Sequence, residues 1–221
     1  MNPCLVTNDL ERINQFNPDF QQVTNMNQNT MTLTQAFQEV SANSAGGTPF
    51  LIAYGATFIV CGILSYVLPA ETAALLVMFQ GGLALPAAFW LEHKIGWGRM
   101  AVDNPLRSLS GLLAASQALW LPALFVAYTL NPRSLPVIMA GLGGAHFLPY
   151  VWLHRTRLYG ALAVALSLGA FGLQLVLGPA AFHIILFYVG LIYWLAAPLM
   201  YRHAAQLVNN GENTAVLSHT L

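Results

Sequence analysis

Three polar side chains stand in the middle of long apolar runs of this chain: Gln80, Gln117 and His146. A helical rise of about 1.5 Å per residue puts Gln80 about 12 Å and His146 about 17 Å below one surface of a bilayer, and Gln117 about 14 Å from the other. An uncompensated polar group in hydrocarbon is costly, so the three are expected to face one another, a ligand or a water-filled path. With Thr57 and Cys61 of the first run they form a candidate lining for a small neutral solute. The plainer reading is interhelical hydrogen bonding that fixes the bundle and does nothing else.

A second set is His93, His154 and His203, each at the same end of an apolar run, with Glu92 beside the first. Converging there, three imidazoles and a carboxylate would suit Zn²⁺ in the open geometry of a hydrolytic site. Spacing lends this little support, since the chain has no His-Glu-x-x-His and no Cys-x-x-Cys. His183, near the opposite end of its run, is too far in depth from His146 to share a ligand and reads as an interfacial side chain. No glycine-rich phosphate loop, dinucleotide fingerprint or serine-hydrolase elbow occurs, and no cofactor is expected. No Asp or Glu falls within a run, which removes the usual coupling group of energised carriers.

Composition says what must position these residues. Of 221 residues 57% are hydrophobic and 7% charged, with eight Lys+Arg against eight Asp+Glu and a mean hydropathy of +0.59. A soluble domain carries about a quarter charged residues, so this chain is built for lipid, and its charge balance gives nucleic acid nothing to bind. Charge-free stretches delimit six spans: 50–68, 72–91, 108–128, 135–153, 158–177 and 180–201. Because they are continuously apolar rather than alternating, the spacing predicts an all-α, polytopic membrane bundle of six transmembrane helices.

Turns near Pro69, Pro132 and Pro179 divide the bundle into three hairpins. The even spans share a glycine, proline and tryptophan pattern: Gly81-Gly82, Pro86 and Trp90; Gly143-Gly144, Pro149 and Trp152; Gly190, Trp194 and Pro198. A triplicated hairpin explains it, and so does the composition common to membrane helices. Small residues every fourth position, as at Ala53, Thr57, Cys61 and Ser65, at Ser110, Ala114 and Ala118, and at Ala161, Ala165 and Gly169, predict close helix packing. Asn104-Pro105 and Asn131-Pro132 read as helix starts, and Pro86, Pro122, Pro149 and Pro198 as kinks.

Lys94, Arg99, Arg107, Arg155, Arg157 and Arg202 lie on one side and Arg133 alone on the other, so both termini are expected in the cytoplasm, without a cleaved signal peptide. The first 48 residues hold eight Asn and six Gln. They read as a disordered segment, 1–31, followed by a short amphipathic helix and linker over 32–48. Leu33, Ala36, Phe37 and Val40 form its apolar face, Thr32 and Gln35 a capping box, and Gly46-Gly47 its stop. Its natural place is flat on the cytoplasmic interface. The bundle takes 49–203, and 204–221 is read as an unstructured polar tail. Cys4 and Cys61 read as free thiols.

The stretch from Gly46 to His203, above all Gly143-Gly144-Ala145-His146-Phe147-Leu148-Pro149-Tyr150 followed by Arg157-Leu158-Tyr159-Gly160, resembles an uncharacterised family of small bacterial six-helix membrane proteins, a domain of unknown function. A weaker likeness, in hairpins such as Gly62 to Pro69, is to HdeD-type acid-stress membrane proteins. Both resemblances imply a bacterial inner-membrane protein, and neither implies an activity. The expected partners are the lipid bilayer, further copies of the chain and a protein at the cytoplasmic termini. The reading these residues favour is a passive small-solute facilitator or channel lined by the middle-layer residues; the alternative is a non-transport membrane scaffold or stress-associated accessory protein, and third in rank is a metal-dependent membrane hydrolase.

Overall fold

Backbone groups in hydrocarbon must be satisfied within their own segment, and the apolar runs accordingly form helices. The computed structural model describes residues 31–98 and 100–219, with side chains as far as Asn210, and no strand occurs among the described residues. A short α1 (Leu33–Asn43) precedes α2 (Thr48–Leu64), α3 (Ala70–Ile95), α4 (Arg107–Leu130), α5 (Leu135–Leu153), α6 (158–177) and α7 (Ala181–His219). The segments from α2 onward are long and apolar enough to cross a membrane. The chain divides into two units, Met1–Leu33 and Thr34–Leu221, and the second holds the bundle. The disordered segment expected over 1–31, apart from Met31, lies outside the described residues, as do Cys4 and Arg99.

The last two helices run on as 53 residues, Leu158–Asn210, that fold back at Gly178, where φ is 56° and ψ −129°. Glycine adopts such a backbone without a Cβ penalty. In a straight helix Ala165 and Tyr188 would stand about 35 Å apart. Here the Tyr188 hydroxyl donates to the Ala165 carbonyl at 2.7 Å, so the two arms are antiparallel. That carbonyl opens a π turn, Ala165–Gly169, whose wider winding disturbs the regular helical bonding.

α7 is the central helix. Its buried positions Phe182, Ile185, Leu186, Val189, Tyr193, Ala197, Met200 and Ala204 recur every three or four residues and make one apolar seam, much of it against α2. At the α2–α7 crossing a Cβ on Gly190 would come within 2.9 Å of the Gly55 carbonyl oxygen, so the two backbones meet where neither has a side chain.

α4 is peripheral, and Leu124 is its one buried residue among those described. Its stripe of small residues does not pack as expected: Ala114 and Ala118 are exposed. Lipid is as apolar as a neighbouring helix, so small residues alone do not say which of the two they face. Pro122 does not kink this span as a helix-interior proline either. The span tightens into a 3-10 segment, Ser116–Trp120, and Pro122 opens the helix Leu121–Leu130, where its missing N–H leaves no gap. Pro86, Pro149 and Pro198 lie inside helices as expected.

The tail read as unstructured from residue 204 instead continues α7 to His219. A helix already nucleated by packed residues extends at little cost through a sequence such as Ala204-Ala205-Gln206-Leu207.

Candidate functional site

α1 caps one end of the bundle. Its Ala36, Phe37, Val40 and Ser41 face is buried, so the surface expected to lie on headgroups is taken up by protein. Phe37 meets Trp152 edge-to-face at 4.9 Å, and the Arg155 guanidinium lies 5.1 Å above the Phe37 ring. The Glu39 carboxylate accepts from the Ala101 amide at 3.1 Å and from the Asn104 side-chain amide at 3.0 Å. Asn104 also donates to the Ala36 carbonyl at 3.2 Å and accepts from the Leu106 amide at 2.9 Å, so the Asn-Pro start of α4 also anchors α1.

Beneath this cap lies His154. Its Nδ1 shares a 3.1 Å hydrogen bond with the Ser41 hydroxyl, and its ring stacks on Tyr150 at 5.8 Å and lies 5.1 Å from Tyr159. Burial, and then the nearby charge of His203, hold His154 well below the ordinary imidazole range, at about 4. His203 Nε2 is itself buried without a partner. His93 stands apart: it is exposed, and its ring bonds to the Phe89 carbonyl of its own helix at 2.7 Å. Among the described residues no three of His, Cys, Asp and Glu are placed to hold a metal. The fold thus brings His154 and His203 into electrostatic reach and leaves His93 out.

The middle-layer residues fall into separate places. Thr57 donates to the Tyr54 carbonyl of its own helix at 3.0 Å, and Cys61 is a buried free thiol. His146, half-buried, meets Trp120 edge-on at 5.5 Å across the α4–α5 seam. Gln117 precedes Trp120 by three residues in the 3-10 segment, so it shares that face. Gln80 lies at the junction of Ala70–Phe79 and Gly81–Ile95, 5% exposed, with neither amide atom partnered. Gln174 is a further intramembrane polar residue, absent from the set that depth alone singles out. It donates to the Gly178 carbonyl at 3.0 Å and keeps its own side-chain oxygen buried and unpartnered, and its place four residues before a Gly-Pro turn is the signal the sequence offers for it.

Two recesses open into the bundle. One, of about 520 Å³, lies beside α2 and α7 at the α1 end, with Ile52, Trp194, Pro198, Tyr201 and Arg202 on its walls. The other, of about 450 Å³, opens at the far end among Ser65, Tyr66, Arg133 and His183. There the His183 ring stacks on Tyr66 at 4.5 Å and its Nδ1 stands 2.7 Å from the Ser65 hydroxyl oxygen.

A family model described as Family of unknown function (DUF7010) matches residues 33–203. No curated protein and no solved structure matches the chain. The family match takes in α1, every span and His203, and agrees with the resemblance carried by the residues around His146. The chain belongs to the DUF7010 family, a family of unknown function.

Proposed function

We propose that this protein is a non-transporting membrane scaffold or accessory protein of a bacterial cytoplasmic membrane, with α1 and both termini on the cytoplasmic side. One observation carries the reading: the interior is filled by a column of rings. Phe58 packs on Tyr193 at 5.9 Å, Tyr193 on Phe147 at 5.9 Å, and Phe147 on Tyr159 at 5.7 Å. Aromatic contact of this kind packs a core and supports a dry interior. The orientation is supported by Lys94, Arg107, Arg155, Arg157 and Arg202 at the α1 end against Arg133 at the other.

A passive facilitator is the second reading, favoured by the Gln80 amide, whose unpartnered atoms are what a solute or water chain would engage. Stopped-flow light scattering on proteoliposomes separates the two, with water, urea and glycerol as solutes. The scaffold reading expects permeability equal to that of empty liposomes. Permeability above that level, and lost in Gln80→Leu, replaces it with the facilitator.

A further inference from the structure

The recess at the end of the bundle opposite α1 brings Arg133 together with a preset imidazole, and we propose that it is an oxyanion-binding site for a phosphoryl group, held by Arg133 and His183. The Ser65 hydroxyl donates its single hydrogen to the Gly62 carbonyl at 2.6 Å. Its oxygen therefore meets His183 Nδ1 as acceptor, and Nδ1 carries the hydrogen. The imidazolium form keeps the Ser65 bond unchanged and donates from Nε2 to an anion. The Tyr66 ring, 4.5 Å away and inclined 18° to the imidazole, offers its π face to that cation.

Arg133 is fixed at its root and loose at its head. Its amide donates to the Asn131 side-chain oxygen at 3.2 Å in the 3-10 turn Pro132–Ser134, and the residue is exposed. Among the described residues no ion pair engages its guanidinium, a group whose planar fork matches phosphoryl oxygens. The first turn of α3 borders the same space through Ala70, and its N-cap position, Pro69, carries no side-chain cap. The open N–H groups of that turn add to the positive potential. Glu71, in the first turn of α3, opposes it weakly and does not line the recess. A volume of about 450 Å³ accommodates a headgroup-sized ligand. A lipid headgroup and a free phosphate present the same oxygens.

The test uses the full chain, delipidated in dodecyl maltoside. Thermal unfolding is followed against inorganic phosphate, chloride at equal ionic strength, and dihexanoyl phosphatidylglycerol, and native mass spectrometry reads lipid retention. The expected result is a saturable rise in Tm that chloride does not give, with affinity weakened about tenfold in Arg133→Gln and in His183→Gln and unchanged in Arg202→Gln. A rise with inorganic phosphate assigns the site to a free oxyanion; a rise and retention confined to phosphatidylglycerol assign it to a headgroup. Absence of both, or an effect that Arg133→Gln leaves intact, overturns the site. Arg133 is exposed, so its variant is expected to fold, which circular dichroism checks.

Discussion

Tyr159 donates its phenolic hydrogen to the carbonyl of Gly46 at 2.7 Å, across 113 residues of chain. Gly46 and Gly47 both have positive φ, 64° and 77°, and the bond ties this left-handed pair to α6. Tyr159→Phe keeps the shape and leaves a buried carbonyl unpaired, so a loss of about 1–3 kcal/mol is expected. Gly47→Ala is expected to cost more, since a Cβ there meets the Tyr159 hydroxyl and the backbone is strained as well. Thermal unfolding in detergent ranks the two.

His154 predicts a pH dependence of stability. It is neutral in the fold, with a value of about 4, and ordinary when unfolded, at 6.5. Between these values the unfolded chain binds more protons, so stability falls as pH drops through that window and levels below it. The full effect is roughly 3 kcal/mol. Ser41, Tyr150 and Tyr159 face the ring as neutral groups, and His203 is the ionisable neighbour. In chemical denaturation at pH 7 and pH 4.5, His154→Gln should show a flatter slope than the parent. An equal slope would remove His154 as its source.

The α2–α7 crossing leaves no room for a methyl group. Gly190→Ala would press on the Ile59 side chain at 2.7 Å and on the Gly55 carbonyl at 2.9 Å, with an expected loss of about 1–3 kcal/mol. Gly82→Ala, with nothing within 4 Å, should be neutral or gain up to about 1 kcal/mol from helix propensity. The two glycines look alike in the sequence pattern, and unfolding midpoints of the pair test whether they differ in the fold.

Gln80 offers a sharper comparison. With both amide atoms buried and unpartnered, Gln80→Leu is expected to stabilise the protein by about 1–3 kcal/mol by removing a desolvated polar group. Destabilisation instead would identify a water or ligand on the amide. The same thermal scan reads both outcomes.

Much of this architecture is legible in the residues. Charge-free runs fix the spans because lipid allows helix and little else, and Asn104 and Asn131 cap where an Asn-Pro pair implies. What the sequence hides is direction. Ala114 and Ala118 of α4 have the spacing of a packing stripe and are exposed, since helix and lipid offer them similar contacts. Phe37 and Val40 have the spacing of an interfacial face and are buried under Trp152 and its neighbours, because Glu39 and Asn104 anchor the helix from loops distant in sequence. Ser65 and His183, 118 residues apart, carry no local signal of their pairing. The cost of burying Gln80 is legible from its depth, whereas its lack of any partner depends on neighbours that spacing does not name.

Thr48 donates to the Ala197 carbonyl at 3.2 Å, and the two are separated by 149 residues. A ribosome adding about 5–20 residues per second needs roughly 7–30 s to bridge that gap. During that time α2 is already inserted while its main partner, α7, has yet to be synthesised. Gly55, shaped for Gly190, and Gly46, shaped for the backbone of Met200, then face lipid or the insertion machinery. The first span is thus completed by the last. Truncation anywhere before α7 leaves a membrane-embedded surface built for a helix that never arrives, the kind of exposed seam that membrane quality control can recognise.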